Sequence, residues 1–217
     1  MNLMEKILNV TRMNLIYKIS LSFLFVIASN LFPINEESYT FKYKESEFKV
    51  NLSDLNDEWN ITYEISHPFF KLSQDTQFSY TNLIQISEIK RNLIVMGGLR
   101  KIEESYKIDH LTKQIKYTKG QLTETLQYDG AIYDDLTAHL YLRLLNIQTD
   151  EEITLNVLER GKIIQKKFIK TISSPDTIKI QEKKEKDKFE LFFKDNSKEI
   201  LKVIQNVNGR EFVWENL

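Results

Sequence analysis

From Tyr39 onward the apolar residues fall on every second position. "YTFKYK" puts Tyr39, Phe41 and Tyr43 on one face, "FKVNL" does the same with Phe48, Val50 and Leu52, and "WNITYEI" with Trp59, Ile61, Tyr63 and Ile65. Alternate side chains of a strand point to opposite faces, so this period predicts half-buried strands. Asn56-Asp57-Glu58 supplies the turn between the second and third, because Asn and Asp tolerate turn geometry and bond their own backbone. Further strands are predicted near 77–81, 84–96, 102–109, 113–118 and 121–128, with Gly97-Gly98 ending the second of these. After residue 150, Ile153, Leu155 and Val157 alternate towards a tight turn at Arg160-Gly161 and a return strand. Ser173 to Asp176 form a short loop, and "TIKIQEK", "KFELFFK", "EILKVIQNV" and "REFVWEN" follow, the last two joined by Asn208-Gly209, a strong hairpin signal.

One stretch breaks the period. "YDGAIYDDLTAHLYLRLLNI", Tyr128 to Ile147, reads as a turn and then a compact helix near 134–146. Asp134 is a good N-cap, and Asp135 places a negative charge in the first turn, where it suits the helix dipole. Leu136, Leu140 and Leu144 form an apolar stripe that Leu142 and Leu145 widen. The predicted fold class is therefore mainly β: an antiparallel sheet of about a dozen strands with one buried helix. A strongly twisted sheet of that size rarely stays open and flat, so it is expected to curl into a β-roll or half-barrel. The helix would then close the core and cover strand edges.

The N-terminus adds an address. "ISLSFLFVIASNLFPI", Ile19 to Ile34, is uncharged, but its sixteen residues would span only about 24 Å as a helix, short of a bilayer core. Arg12 and Lys18 precede a ten-residue apolar core, and Val26-Ile27-Ala28 ends in a small residue, so residues 1–28 are expected to be a signal peptide cleaved after Ala28. Met13 opens a tidier signal than Met1 and is the alternative start. The competing expectations are an uncleaved anchor prolonged by Leu31, Phe32 and Ile34, which would be the chain's one membrane contact, and a buried core helix. Residues 29–217 then form a single exported domain in the periplasm, long enough for one core and free of any Pro/Gly/Ser-rich linker.

Charge is balanced, 30 Lys and Arg against 31 Asp and Glu, so no basic field exists to recruit nucleic acid. Residues 1–28 carry Lys6, Arg12 and Lys18 against Glu5, so their removal takes the formal net charge from −1 to −3. The chain has no cysteine, which closes the lipid-anchored export route and excludes disulfides and thiolate chemistry.

Candidate chemistry is sparse. Asp135, His139 and Arg143 are spaced four apart on the helix and could form a general-base row, but no nucleophile motif accompanies them, and an exposed charge ladder is the expected arrangement. Should Arg143 point inward, it must pair with a carboxylate or bare carbonyls. His67, before Pro68, and His110, in "KIDHLTK", have no metal-like spacing, so no metal and no cofactor are expected. Phosphate loops and nucleophile elbows are missing, and no enzyme activity is expected. "KKEKDK", Lys183 to Lys188, is interrupted by acids and reads as a solvated hairpin tip. Lys166, Lys167 and Lys170 flank Phe168 and are read as protection of a strand edge. Asn51-Leu52-Ser53 and Asn60-Ile61-Thr62 match glycosylation acceptors that matter only in a eukaryotic secretory route. The aromatic stripes admit two readings: ordinary core, or the lining of an apolar-ligand pocket by Phe41, Trp59, Tyr63 and Phe193.

The helix stretch, with Asp135, Leu136, Ala138, Leu140, Tyr141, Leu142 and Arg143, resembles the signature of the DUF3108 family of exported bacterial proteins. "FELFFKDNSKEILKVIQ" and the closing "NGREFVWENL" resemble that family's tail. The resemblance implies an exported β-roll of the periplasm or envelope with no established enzymatic activity. Together these features lead to the expectation of a non-catalytic envelope protein that binds a partner or supports assembly, its partner an envelope protein or a lipid. The alternative is a carrier of a lipid or other apolar ligand.

Overall fold

The computed structural model describes residues 34–56, 58–81, 83–95, 98–145, 150–183, 189–207 and 210–216. The expected signal peptide with its alternative start, the Asp57 and Gly97 turn positions, most of Lys183 to Lys188, and Asn208-Gly209 lie outside the described residues. The first meander runs β1 (Glu37–Tyr43), β2 (Ser46–Asp54), β3 (Trp59–His67), β4 (Phe70–Tyr80), β5 (Ile84–Val95), β6 (Arg100–Asp109), β7 (Gln114–Lys119) and β8 (Leu122–Gln127). The single helix among the described residues, α1 (Asp135–Leu144), leads to the second meander: β9 (Glu152–Glu159), β10 (Lys162–Ser174), β11 (Thr177–Glu182), β12 (Phe189–Lys194), β13 (Ile200–Val207) and β14 (Arg210–Asn216).

The fourteen strands among the described residues belong to one antiparallel sheet. Each meander pairs in sequence order, and the two join where β1 meets β14, with Phe41 opposite Asn216 and Lys42 opposite Glu215. The first and last strands therefore sit side by side in the middle, and the edges, β8 and β9, are the two strands that the α1 segment connects.

This corrects the expected fold. The curled β-roll or half-barrel of about a dozen strands is replaced by an open order of fourteen, in which β8 and β9 do not pair with each other. Closure is not needed to satisfy the β9 edge, because the segment entering α1 covers it. Tyr133 N donates to Asn156 O at 2.9 Å, and Leu158 N donates to Tyr133 O at 2.7 Å, making an isolated parallel bridge. Alternation fixes strands locally and contains nothing about whether distant edges meet.

Strand β4 also differs, since it starts at Phe70 and not near 77. Phe70, Leu72, Gln74, Thr76 and Phe78 share one face of β4, and two of these five are polar, which interrupts the apolar period. Gln74 and Thr76 are nonetheless buried. In cross-strand rows, Val50, Tyr63, Gln74 and Arg91 stand opposite one another, as do Leu52, Ile61, Thr76, Ile89 and Tyr106. The polar pair thus sits in the middle of an apolar face.

The β9–β10 turn matches its sequence signal. Arg160 and Gly161 have φ of 51° and 74°, both in the left-handed region that two-residue hairpin turns use. Gly161 N donates to the Tyr106 hydroxyl at 2.8 Å, which ties the turn to β6. A Cβ at Gly161 would lie 2.6 Å from the Tyr117 ring, whereas one at Gly120, φ 58°, would meet nothing within 4 Å. Gly161→Ala is expected to cost about 2–3 kcal/mol in urea unfolding, against about 1 kcal/mol for Gly120→Ala. Equal losses would show that the Tyr117 contact is not limiting.

Candidate functional site

Helix α1 is set in place at its ends. Asp134, at φ −101°, caps it: Oδ1 accepts from Thr137 N at 2.7 Å, and the Thr137 hydroxyl accepts from Asp134 N at 3.0 Å. The other carboxylate oxygen of Asp134 accepts from the Thr76 hydroxyl and from Gln74 Nε2, the latter at 2.6 Å. The second Gln74 amide hydrogen goes to Thr76 Oγ1 at 3.0 Å, and Gln74 Oε1 accepts from Arg91 Nε at 2.5 Å. Burial pushes the Asp134 carboxyl above the usual carboxylate range, opposed by the bonds from Thr76 and Thr137 and by the charge of Arg91. At the other end, Leu145 N donates to Tyr141 O at 2.9 Å, and Leu145 O accepts from Lys170 Nζ at 2.8 Å. Burial lowers the Lys170 ammonium to about 8, with the nearby Lys198 charge acting the same way and Asp195 against it.

Lys170 shows that the lysines of β10 are not edge protection. Strand β10 lies inside the sheet between β9 and β11, and Lys166, Phe168 and Lys170 share its buried face. Lys166 Nζ pairs with Asp135 at 2.7 Å and Glu159 at 3.1 Å, the Phe168 ring meets the His139 ring edge-on at 5.7 Å, and Lys170 takes the helix's last carbonyl. Four strand residues span about 13 Å and ten helical residues about 15 Å, so two lysines four apart reach both ends of α1. Sequence inspection missed this role. The signal was a lysine, an apolar residue and a lysine at alternate positions of one strand.

The row of Asp135, His139 and Arg143 is not an exposed ladder either, since only Asp135 keeps a half-exposed side chain. Arg143 is only 3% exposed, and its inward position meets the demand for partners. Its guanidinium pairs with Glu37 of β1 at 2.6 Å and donates to Lys198 O at 2.9 Å and the Tyr39 hydroxyl at 3.3 Å. His139 stacks on Phe189, ring centroids 4.2 Å apart, and its Nδ1 is buried without a hydrogen-bond partner. Burial lowers its pKa to about 4, the Asp135 charge opposing and the Lys166 charge adding to the shift. Burial works against ionisation of Asp135, but the charge and hydrogen bond of Lys166 outweigh it and hold the carboxyl below its usual range.

All three side chains face a cavity of about 620 Å³ between α1 and the sheet. Phe41, Phe48, Val50, Tyr63, Leu72 and Leu140 contribute to its apolar wall, and Arg143, Lys166 and Glu182 to its charged side. Of the residues expected as pocket lining, Phe41 and Tyr63 reach this cavity. Trp59 packs against the core opposite Phe78, and Phe193 is fully buried beneath Lys170; neither borders the cavity. His110 donates from Nε2 to Ile86 O at 2.8 Å and accepts from the Tyr128 hydroxyl at 2.8 Å, and His67 Nδ1 accepts from Phe69 N at 3.2 Å. Among the described residues no group of His, Asp and Glu could hold a metal ion, and no helix is long and apolar enough to cross a membrane.

No family model and no curated protein matches the chain. Among solved structures, the crystal structure of a beta-barrel-like protein of domain of unknown function DUF1849 from Brucella abortus aligns with a TM-score of 0.49 at 9% identity, covering 83% of this chain and 93% of that one.

Two outcomes follow from the charged groups. Arg143→Met removes the guanidinium that pairs with Glu37 and donates to the Lys198 carbonyl, and is expected to cost about 2–4 kcal/mol in urea unfolding; an unchanged midpoint would remove its structural role. With His139 lowered from 6.5 to about 4, the unfolded chain binds the proton first. Stability present above pH 6.5 is therefore lost as the pH falls towards 4, by up to about 3 kcal/mol. His139→Phe keeps the stacking and does not titrate, so its stability should fall less than the wild type's between pH 6.5 and 4. Equal slopes would place the imidazole in a water-like environment.

Proposed function

We propose that this protein is a non-catalytic binding protein of the cell envelope that carries a lipid or similar apolar ligand in the cavity beneath α1. The observation that carries the reading is the size and lining of the space. Protein interiors are packed with few voids larger than a water molecule, whereas small-molecule sites occupy about 300–1,000 Å³ and are walled by apolar and aromatic groups with few polar ones. A space of about 620 Å³ walled by Phe41, Val50, Tyr63 and Leu140 has those features.

The charged side of the cavity supports binding over catalysis. Arg143 and Lys166 are already engaged with carboxylates, and His139 is held as a neutral, stacked ring. These groups offer a polar berth for a head group while the apolar wall takes a chain. The envelope location rests on the signal-like residues 1–28, and the resemblance of the helix and tail to DUF3108 proteins points to the same compartment.

Native mass spectrometry of the protein purified from its own cells, followed by solvent extraction, is expected to reveal a stoichiometric lipid. Leu140→Trp should fill the cavity and weaken binding of a fluorescent acyl probe at least tenfold while leaving the fold intact by circular dichroism. A clean apo mass together with no probe binding would overturn the carrier reading and turn the search to protein partners.

A further inference from the structure

We infer that Phe69 and Phe70 at the β3–β4 turn, together with Leu99 ahead of β6, form a docking point for an anionic lipid bilayer, from which the cavity is loaded. The inference rests on the reading of that cavity as an apolar-ligand site. The β3–β4 turn and the adjoining ends of β5 and β6 lie at one level of the sheet, because Phe70 stands opposite His67 on one side and Val95 on the other, and Val95 opposite Arg100. Large apolar side chains project there in place of the polar residues usual in turns: Phe69 is 65% exposed, Leu99 84% and Phe70 36%. The aromatic pair is held in place. The His67 ring stacks on Phe70 at 5.1 Å and lies 5.4 Å from Phe69, whose backbone N–H bonds to His67 Nδ1.

The turn segments themselves carry only cations, with carboxylates one step back along the strands. Residues 66–71 and 98–101 include Lys71, Arg100 and Lys101 and no Asp or Glu. Lys71 reaches back to Glu64 at 2.8 Å and Lys101 to Glu103 at 2.6 Å, both in pairs open to solvent. Apolar side chains flanked by cations suit the boundary between acyl chains and anionic head groups. The tip is also continuous with the cavity. Phe70 and Leu72 share one face of β4, Leu72 stands opposite Ile65, and Ile65 opposite Phe48; these last three line the cavity. An apolar track therefore leads from the exposed turns into the site, which a bilayer occupant would use and a polar partner would not.

The test uses vesicles of phosphatidylglycerol and phosphatidylethanolamine, with phosphatidylcholine vesicles for comparison, and anthroyloxy stearate as the probe. The wild-type protein should sediment with the anionic vesicles, less so at high salt. The double variant Phe69→Ser/Leu99→Ser, altered only at exposed side chains, should bind them at least tenfold more weakly. It should also take probe from vesicles at least tenfold more slowly while retaining the wild-type affinity for probe in solution. Wild-type protein that binds probe but ignores vesicles, or a double variant that sediments equally well, would overturn the docking inference alone. Vesicle binding lost in the variant, with no probe uptake by either protein, would support docking and overturn the carrier reading.

Discussion

A buried helix end leaves backbone N–H and C=O groups that water cannot reach, and the satisfaction of these groups organises the molecule. Asp134 meets the first-turn donor, but a carboxylate in that position must itself be satisfied, and Thr76 and Gln74 of β4 are placed to do so. Lys170 of β10 meets the last carbonyl. Each end of the helix is thus tied to both meanders, the start by Thr76 and Gln74 of β4 and by Lys166 of β10, the end by Glu37 of β1 and by Lys170 of β10. The helix couples two halves of the chain that are joined in the sheet only along β1 and β14.

The same ties place charge in the interior. Lys166 between Asp135 and Glu159, and Arg143 between Glu37 and the Lys198 carbonyl, are costly to desolvate and contribute little net stability compared with apolar packing. What they add is position. Each holds α1 at a named point on a named strand, and a register slip of one residue in β10 would turn Lys166 and Lys170 to the opposite face.

A helix held by polar ties at its ends need not press its flank onto the sheet. Leu136, Leu140 and the polar row of α1 border open space, although its other side, with Ala138, Leu142 and Leu144, is buried in the core. Rigid ends and an unfilled flank are the arrangement a binding site requires, since the wall is preorganised without being occupied by protein. The aromatic turns at the end of β3 and β4 extend that wall to the surface.

Sequence alone determined most of the strands, the α1 segment with its Asp134 cap, and the Arg160-Gly161 turn, because alternation, capping and turn chemistry are properties of neighbouring residues. It also set the rule that an inward Arg143 must find a carboxylate. Tertiary structure decided the rest. Gln74 and Thr76 look like interruptions of a strand until Asp134, about sixty residues away, is placed between them. Lys166 and Lys170 look like edge lysines until β10 is found inside the sheet, and Phe193 like pocket lining until the helix shows which aromatic residues it covers. The open strand order and the cavity depend on contacts between residues far apart in the chain, and hydrophobic period records only which face a side chain takes, not what it meets there.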